Sequence, residues 1–154
     1  ILQPPAPNVA RFAEAMRPLQ RAHTSMVLVR ANLDSPPPEY ATDQRLREFD
    51  RGIWDGLTHK EARALNPALF DKREANKWNV RVPGGEDYAD VAQRAKLWIG
   101  GLKHATFAVS HGGYTRILRG LFADLTADEI SDLYEPQGVV FRARGQHAKR
   151  LDPV

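Results

Sequence analysis

The sequence predicts an α/β fold: a three-layer α/β/α sandwich around a mostly parallel sheet. Three observations carry that expectation. Short, doubly apolar segments such as 106–110 and 138–142 alternate with longer segments of helical period, helix starts carry capping signatures, and glycine or proline breaks fall between the two kinds. The 154 residues suffice for one domain with its own core, so 1–154 is read as a single unit.

Taken in order, Pro4-Pro5-Ala6-Pro7 reads as an extended leader, and residues 9–16 fit either a short strand or a helix. Pro18 suits a first helical position, and Leu19, Ala22, Met26, Val29 and Leu33 follow at spacings of three and four, which predicts an amphipathic helix. Pro36-Pro37-Pro38 forms a stiff loop, residues 40–48 an extended segment, and Gly52 and Gly56 punctuate the loop beyond it. Thr58-His59-Lys60-Glu61 is a capping box opening a short helix that Pro67 closes or restarts. After Pro83-Gly84-Gly85, the residues Tyr88, Val91, Ala95, Trp98 and Leu102 repeat with helical period as far as Gly100 and Gly101. A strand over 106–110, a helix over 114–122, a second capping box at Thr126-Ala127-Asp128-Glu129 and an apolar strand over 138–142 complete the chain.

Composition narrows the function. Lys and Arg number 22 against 19 Asp and Glu, a net +3 spread along the chain, which describes a solvated surface and not a nucleic-acid footprint. There is no cysteine, so disulfides and thiolate zinc sites are excluded, and the apolar runs are far below a membrane span. Nothing at the start reads as a signal peptide. His23, His59, His104 and His147 stand at no ligand spacing and are expected at the surface, so neither a metal nor a cofactor is predicted. Trp98 fits the core stripe, Trp54 and Trp78 fall in segments that would overhang a site, and Arg94 is most simply a surface or ion-pairing residue.

The chemistry concentrates in three places. His111 ends the strand over 106–110 and precedes Gly112-Gly113 and a helix; unpaired N–H groups and positive dipole at that helix start, with no bulky side chain beside them, form a phosphate seat. Glu48 lies between the apolar Leu46 and Phe49 just before a glycine-broken loop, where partial desolvation would suit it to donate a proton to a leaving oxygen. Arg21 begins the polar side of the first helix, and its fork matches phosphate oxygens. Each has a plainer alternative: a turn histidine, a surface glutamate paired with Arg47 or Arg51, a solvated arginine.

Together these residues resemble the histidine phosphatase superfamily, or phosphoglycerate-mutase-like proteins. Pro18-Leu19-Gln20-Arg21-Ala22 with Ser25 looks like the family's Ser-Pro-Leu-x-Arg-Ala-x-x-Thr helix start. The run from Leu46, Arg47 and Glu48 through Gly52 and Gly56 looks like its Leu-x-Glu-x-x-x-Gly-x-x-x-Gly loop, Pro83-Gly84-Gly85-Glu86 like its Pro-Gly-Gly-Glu-Ser turn, and Val109-Ser110-His111-Gly112-Gly113 like its second histidine box. The resemblance implies a phosphomonoesterase in which a first histidine, from an Arg-His-Gly box, attacks phosphorus and becomes phosphohistidine. It further implies that Arg21, His111 and Gly112 bind phosphate, that His111 and Glu48 are catalytic with Glu48 the acid/base, and that no metal is used. The partner would be a small phosphorylated metabolite, with no nucleic acid or membrane, in the cytoplasm, and a homodimer is an open option. A catalytically degenerate module that only binds such a ligand is the alternative.

Departures are specific. The sequence contains no Arg-His-Gly, and Arg17, Ser25 and Asp87 stand where the family has Ser, Thr and Ser. Because the sequence opens on Ile1, the expectation is an N-terminally incomplete copy whose missing part holds the nucleophile and a first central strand, leaving ladder groups exposed on its neighbours. The short segment between Gly56 and Pro83 leaves little room for the cap of a mutase and favours a phosphatase.

Overall fold

The structure, a computed structural model, describes residues 11–15, 20–32, 40–136 and 138–151, with side chains from Ala22 onward. Residues 9–16, ambiguous by pattern, contain strand β1, Arg11–Ala15. It lies between β2, Ala41–Asp43, and β3, Thr106–Val109, and runs parallel to both, with Ala13 opposite Ala41 on one side and Ala108 on the other. β1 is hydrogen-bonded on both sides, whereas β2 and β3 each pair with β1 alone among the described residues. The extended segment expected over 40–48 is shorter than that, because Asp43 caps a 3-10 turn, Gln44–Leu46, by accepting from Arg45 N.

Helix α1, Gln20–Ala31, packs on β1 and β3 and buries Ala22 and Met26 with Val29 half-buried; Pro18, Leu19 and Leu33 lie outside the described residues. Both threonine capping boxes form. Thr58 opens α2, His59–Leu65, and Thr126 opens α6, Ala127–Asp132. Pro67 restarts the chain as α3, Pro67–Ala75, under an Asn66 cap. In α4, Tyr88–Gly100, a capping box of Asp87 and Asp90 sets the start, and Tyr88, Val91, Ala95 and Trp98 form the buried stripe that the period requires.

These residues make the main core with Leu46, Tyr114, Ile117 and Ile130, each large aliphatic contributing about 1.5–3 kcal/mol by leaving water. A satellite core of Trp54, Ala62, Phe70 and Val82 lies under α2 and α3. Helix α5, Gly112–Phe122, starts two residues earlier than expected and crosses α6 so closely that a Cβ on Gly120 would collide with Ile130. The last predicted strand is a hairpin instead: β4, Val140–Arg144, pairs antiparallel with β5, His147–Leu151, around Gly145 at φ +59°. No helix of the described residues is long and apolar enough to cross a membrane.

Of the two readings of Arg94, surface or ion-pairing, the structure bears out the second, and the pair is largely buried. Arg94 is only 9% exposed. It faces inward because 91, 94, 95 and 98 share one helix face, and it donates to Arg45 O at 2.7 Å and Arg47 O at 2.9 Å while pairing with Glu86 at 3.0 Å.

Candidate active site

Leu46, Glu48 and the end of β3 meet because Ser110 Oγ donates to Leu46 O at 2.6 Å, tying the strand end to the 3-10 turn. His111 is the N-cap of α5, in extended backbone at φ −116° and ψ 157°, with its side chain buried. Glu48 Oε1 then accepts from Phe49 N and from Tyr114 N, both at 3.1 Å, so its carboxylate sits over the first turn of α5. Gly113 makes this approach feasible, since a Cβ there would lie 2.6 Å from Phe49 Cε1 and 2.8 Å from Glu48 Oε1. The glycines that the sequence suggested for an outside anion thus first admit the protein's own carboxylate. The N–H groups of Gly112 and Gly113 have no acceptor among the described residues.

Glu48, Ser110, His111, Gly112 and Gly113 line one cavity of about 660 Å³, together with Ala22 and Ser25 of α1 and Glu135. Arg21 stands in the first turn of α1 by its backbone, and its side chain is outside the described residues.

The second and third sequence motifs hold Glu48 in place by locking onto each other. Glu86 N donates to Asp50 O at 2.8 Å, Asp50 N donates to Glu86 Oε2 at 3.0 Å, and Ile53 N donates to Pro83 O at 3.0 Å. Arg47 and Arg94 both pair with the Glu86 carboxylate, at 2.7 and 3.0 Å. A Cβ on Gly85 would sit 2.6 Å from Asp50 O, and Gly52 adopts φ +55°, so both positions require glycine.

Sequence reasoning missed a second cavity of about 250 Å³, which Gly113 shares with the first. Arg51, Arg73, Lys77 and Arg116 line it against Glu74 and Glu86, beside Phe49, Trp54, His59, Phe70, Val82 and Tyr88. Arg73 is buried, which holds its guanidinium below the ordinary arginine range, and it stacks 5.0 Å from the Tyr88 ring centre. Arg116 donates to Tyr88 Oη at 3.1 Å and keeps a buried Nε with no partner. Arg73 and Lys77, four apart on and just beyond α3, were the available signal; their convergence with Arg116 required the fold. Trp54 is buried against Phe70 at 5.6 Å between ring centres and also lines this cavity, whereas Trp78 packs against the main core.

Glu135 also escaped the sequence. It pairs with Arg119 at 3.1 Å, and burial raises its carboxyl above the ordinary range despite Arg119 and Arg116 nearby. His23, His59, His104 and His147 are exposed; His23 Nδ1 bonds Tyr40 Oη at 2.7 Å, and His59 sets its ring edge on Phe70.

Comparison with known proteins gives a consistent picture. A 6-phosphofructo-2-kinase/fructose-2,6-bisphosphatase of Arabidopsis thaliana is 33% identical over 94 residues, 59% of this chain and 13% of that protein. Across such curated relatives the chain spans between 13% and 22% of their lengths. Among solved structures, Bacillus stearothermophilus YhfR superposes with a TM-score of 0.71 at 25% identity, over 94% of this chain and 73% of that one. A mycobacterial glucosyl-3-phosphoglycerate phosphatase in complex with inorganic phosphate shares the fold at TM-score 0.69 and 21% identity, over 94% and 76%. Residues 13–148 match the family described as the histidine phosphatase superfamily (branch 1), and the chain belongs to that superfamily.

Proposed function

We propose that this protein is a phosphomonoesterase that hydrolyses a small phosphorylated metabolite through a phosphohistidine, without a metal. The observation that carries the reading is the single cavity bounded by Glu48, His111 and the open N–H groups of Gly112 and Gly113 at the start of α5. A tetrahedral phosphoryl group seated there would accept hydrogen bonds from Gly112, Gly113 and the imidazole of His111, with Arg21 completing the charge. A nucleophilic histidine nitrogen forms the N–P bond as the ester P–O bond breaks, and Glu48 gives its proton to the departing alkoxide. Water then attacks phosphorus, Glu48 takes the water proton, and the histidine leaves with its electron pair.

The neighbouring cavity supports a substrate with a second anionic group. Four cations line it against two carboxylates, of which Glu86 is already paired with Arg47 and Arg94, and Glu74 with Lys77. The bisphosphatase named among the relatives acts on a molecule of that class. The reading places the protein in the cytoplasm, where such metabolites circulate.

The nucleophile decides between turnover and binding alone, since these 154 residues hold no Arg-His-Gly. The test is phosphate release from a sugar bisphosphate and from p-nitrophenyl phosphate by protein expressed from the full gene. Glu48→Gln and His111→Ala should each lower kcat by about 10²–10⁴ while folding is kept. Arg73→Gln with Lys77→Gln should raise KM for the bisphosphate and spare the monoester. Unchanged turnover in the first two variants removes the site; phosphate binding without release in the intact protein favours the binding reading.

A further inference from the structure

Glu135 brings a second carboxyl to the wall of the cavity that already holds Glu48 and His111, from the connection between α6 and β4. Its side chain is 11% exposed and Arg119 beside it 17%. Arg119 is fixed in turn by donating to Tyr134 O at 3.0 Å and by lying 4.1 Å from the centre of the Phe141 ring on β4. The carboxyl is therefore a held feature of the wall and not a loose surface group. Its charged neighbours are Arg116 and Arg119 on α5 and Glu48 on the facing loop, and the titratable His111 at the start of α5 lines the same cavity. Among the described side chains of α1, the uncharged Ala22 and Ser25 line the cavity.

A tetrahedral dianion entering this cavity meets two carboxyl groups. Glu48 is committed to the N–H donors of Phe49 and Tyr114, whereas Glu135 has Arg119 and no backbone donor among the described residues. We infer that Glu135 is a specificity residue of the site: it takes up a proton as the dianion enters and donates the resulting O–H to an anion oxygen, so that binding is coupled to protonation. This rests on reading the cavity as a phosphoryl site. Burial and Glu48 already bias the carboxyl toward its neutral form before any ligand arrives, and an approaching dianion pushes the same way. The atoms balance simply: one proton leaves solvent, one carboxylate becomes a carboxylic acid, and no bond of the anion breaks.

Sulfate is the probe, because it stays a dianion across the useful range and contributes no titration of its own. Calorimetry of the protein with sulfate at about pH 5.5 and about pH 8, in two buffers of different ionisation heat, gives affinity and proton uptake together. Wild type should bind more weakly at the higher pH and take up a proton there. Glu135→Gln should bind about tenfold more tightly than wild type at the higher pH and lose most of the uptake. No proton uptake by wild type overturns the inference without recourse to any variant, as does a Glu135→Gln protein that keeps the wild-type pH slope. Absence of sulfate and phosphate binding at any pH overturns the phosphoryl-site reading itself, and this inference with it.

Discussion

Gly113→Ala puts the packing around Glu48 to a quantitative test. Alanine is the better helix former, and at an unconstrained interior position the change would stabilise α5 by about 1 kcal/mol. At residue 113, however, the new methyl would lie 2.6 Å from Phe49 Cε1 and 2.8 Å from Glu48 Oε1, well inside contact distance. Overpacking of that kind costs about 1–3 kcal/mol. Moving the carboxylate also loses its hydrogen bond from Tyr114 N, now 3.1 Å, and bonds to charged acceptors contribute about 1.5–3 kcal/mol. The two penalties outweigh the propensity gain, for a net loss of about 2–5 kcal/mol, which in a chain of this size lowers Tm by roughly 5–15 °C. Urea unfolding of both proteins measures it, with m unchanged if only the native state is affected. In a Phe49→Ala background the same substitution should cost at least about 1 kcal/mol less, because its main obstacle is gone. A Gly113→Ala protein as stable as wild type, or additivity with Phe49→Ala, refutes the reasoning.

Three further expectations follow from the same contacts. Arg94→Ala strips the Glu86 carboxylate of one buried cation and removes the donor of two carbonyls, so it should destabilise by about 3–5 kcal/mol in urea unfolding, and Arg94→Lys should recover only part because an ammonium cannot span the fork. Tyr114→Phe should leave stability unchanged or raise it by up to about 1–2 kcal/mol, since its hydroxyl is buried with no partner among the described residues; the same burial pushes this phenol up to about 12, so Tyr114 should stay protonated in ultraviolet titration through the pH range in which an ordinary tyrosine ionises. Glu135 has a folded-state pKa above its unfolded one, so its contribution to stability is fully present below the ordinary glutamate pKa and declines as pH rises through the raised value. The stability of wild type relative to Glu135→Gln, read by denaturation at about pH 4 and pH 7, should therefore be more favourable at the lower pH.

Local signals in the sequence determined what local physics controls. The capping boxes at Thr58 and Thr126 close within four residues, and the stripe of Tyr88, Val91, Ala95 and Trp98 needs only the helical period, so both appear in the structure as the sequence predicts. Likewise His111 at a strand end before glycines, and Glu48 before a glycine-broken loop, stand out as candidates from their immediate sequence neighbours alone, although the contact of Glu48 with Tyr114 N, 66 positions away, needed the fold. Contacts between distant segments were another matter. Arg94 falls on a helical face that could be wet or dry until the Glu48 loop covers it, and the carbonyls it serves lie 49 and 47 positions away. Arg73, Lys77 and Arg116 carry no pattern common to all three, and only the fold gathers them on one cavity, where Arg73 and Arg116 both contact Tyr88. Glu135 reads as an ordinary loop acid until the chain returns past α6 and buries it beside Arg119. The amino-acid order thus decided most of the local elements and singled out two candidate side chains, while the tertiary structure decided which charges lose their water, because desolvation depends on what the rest of the chain lays over each group.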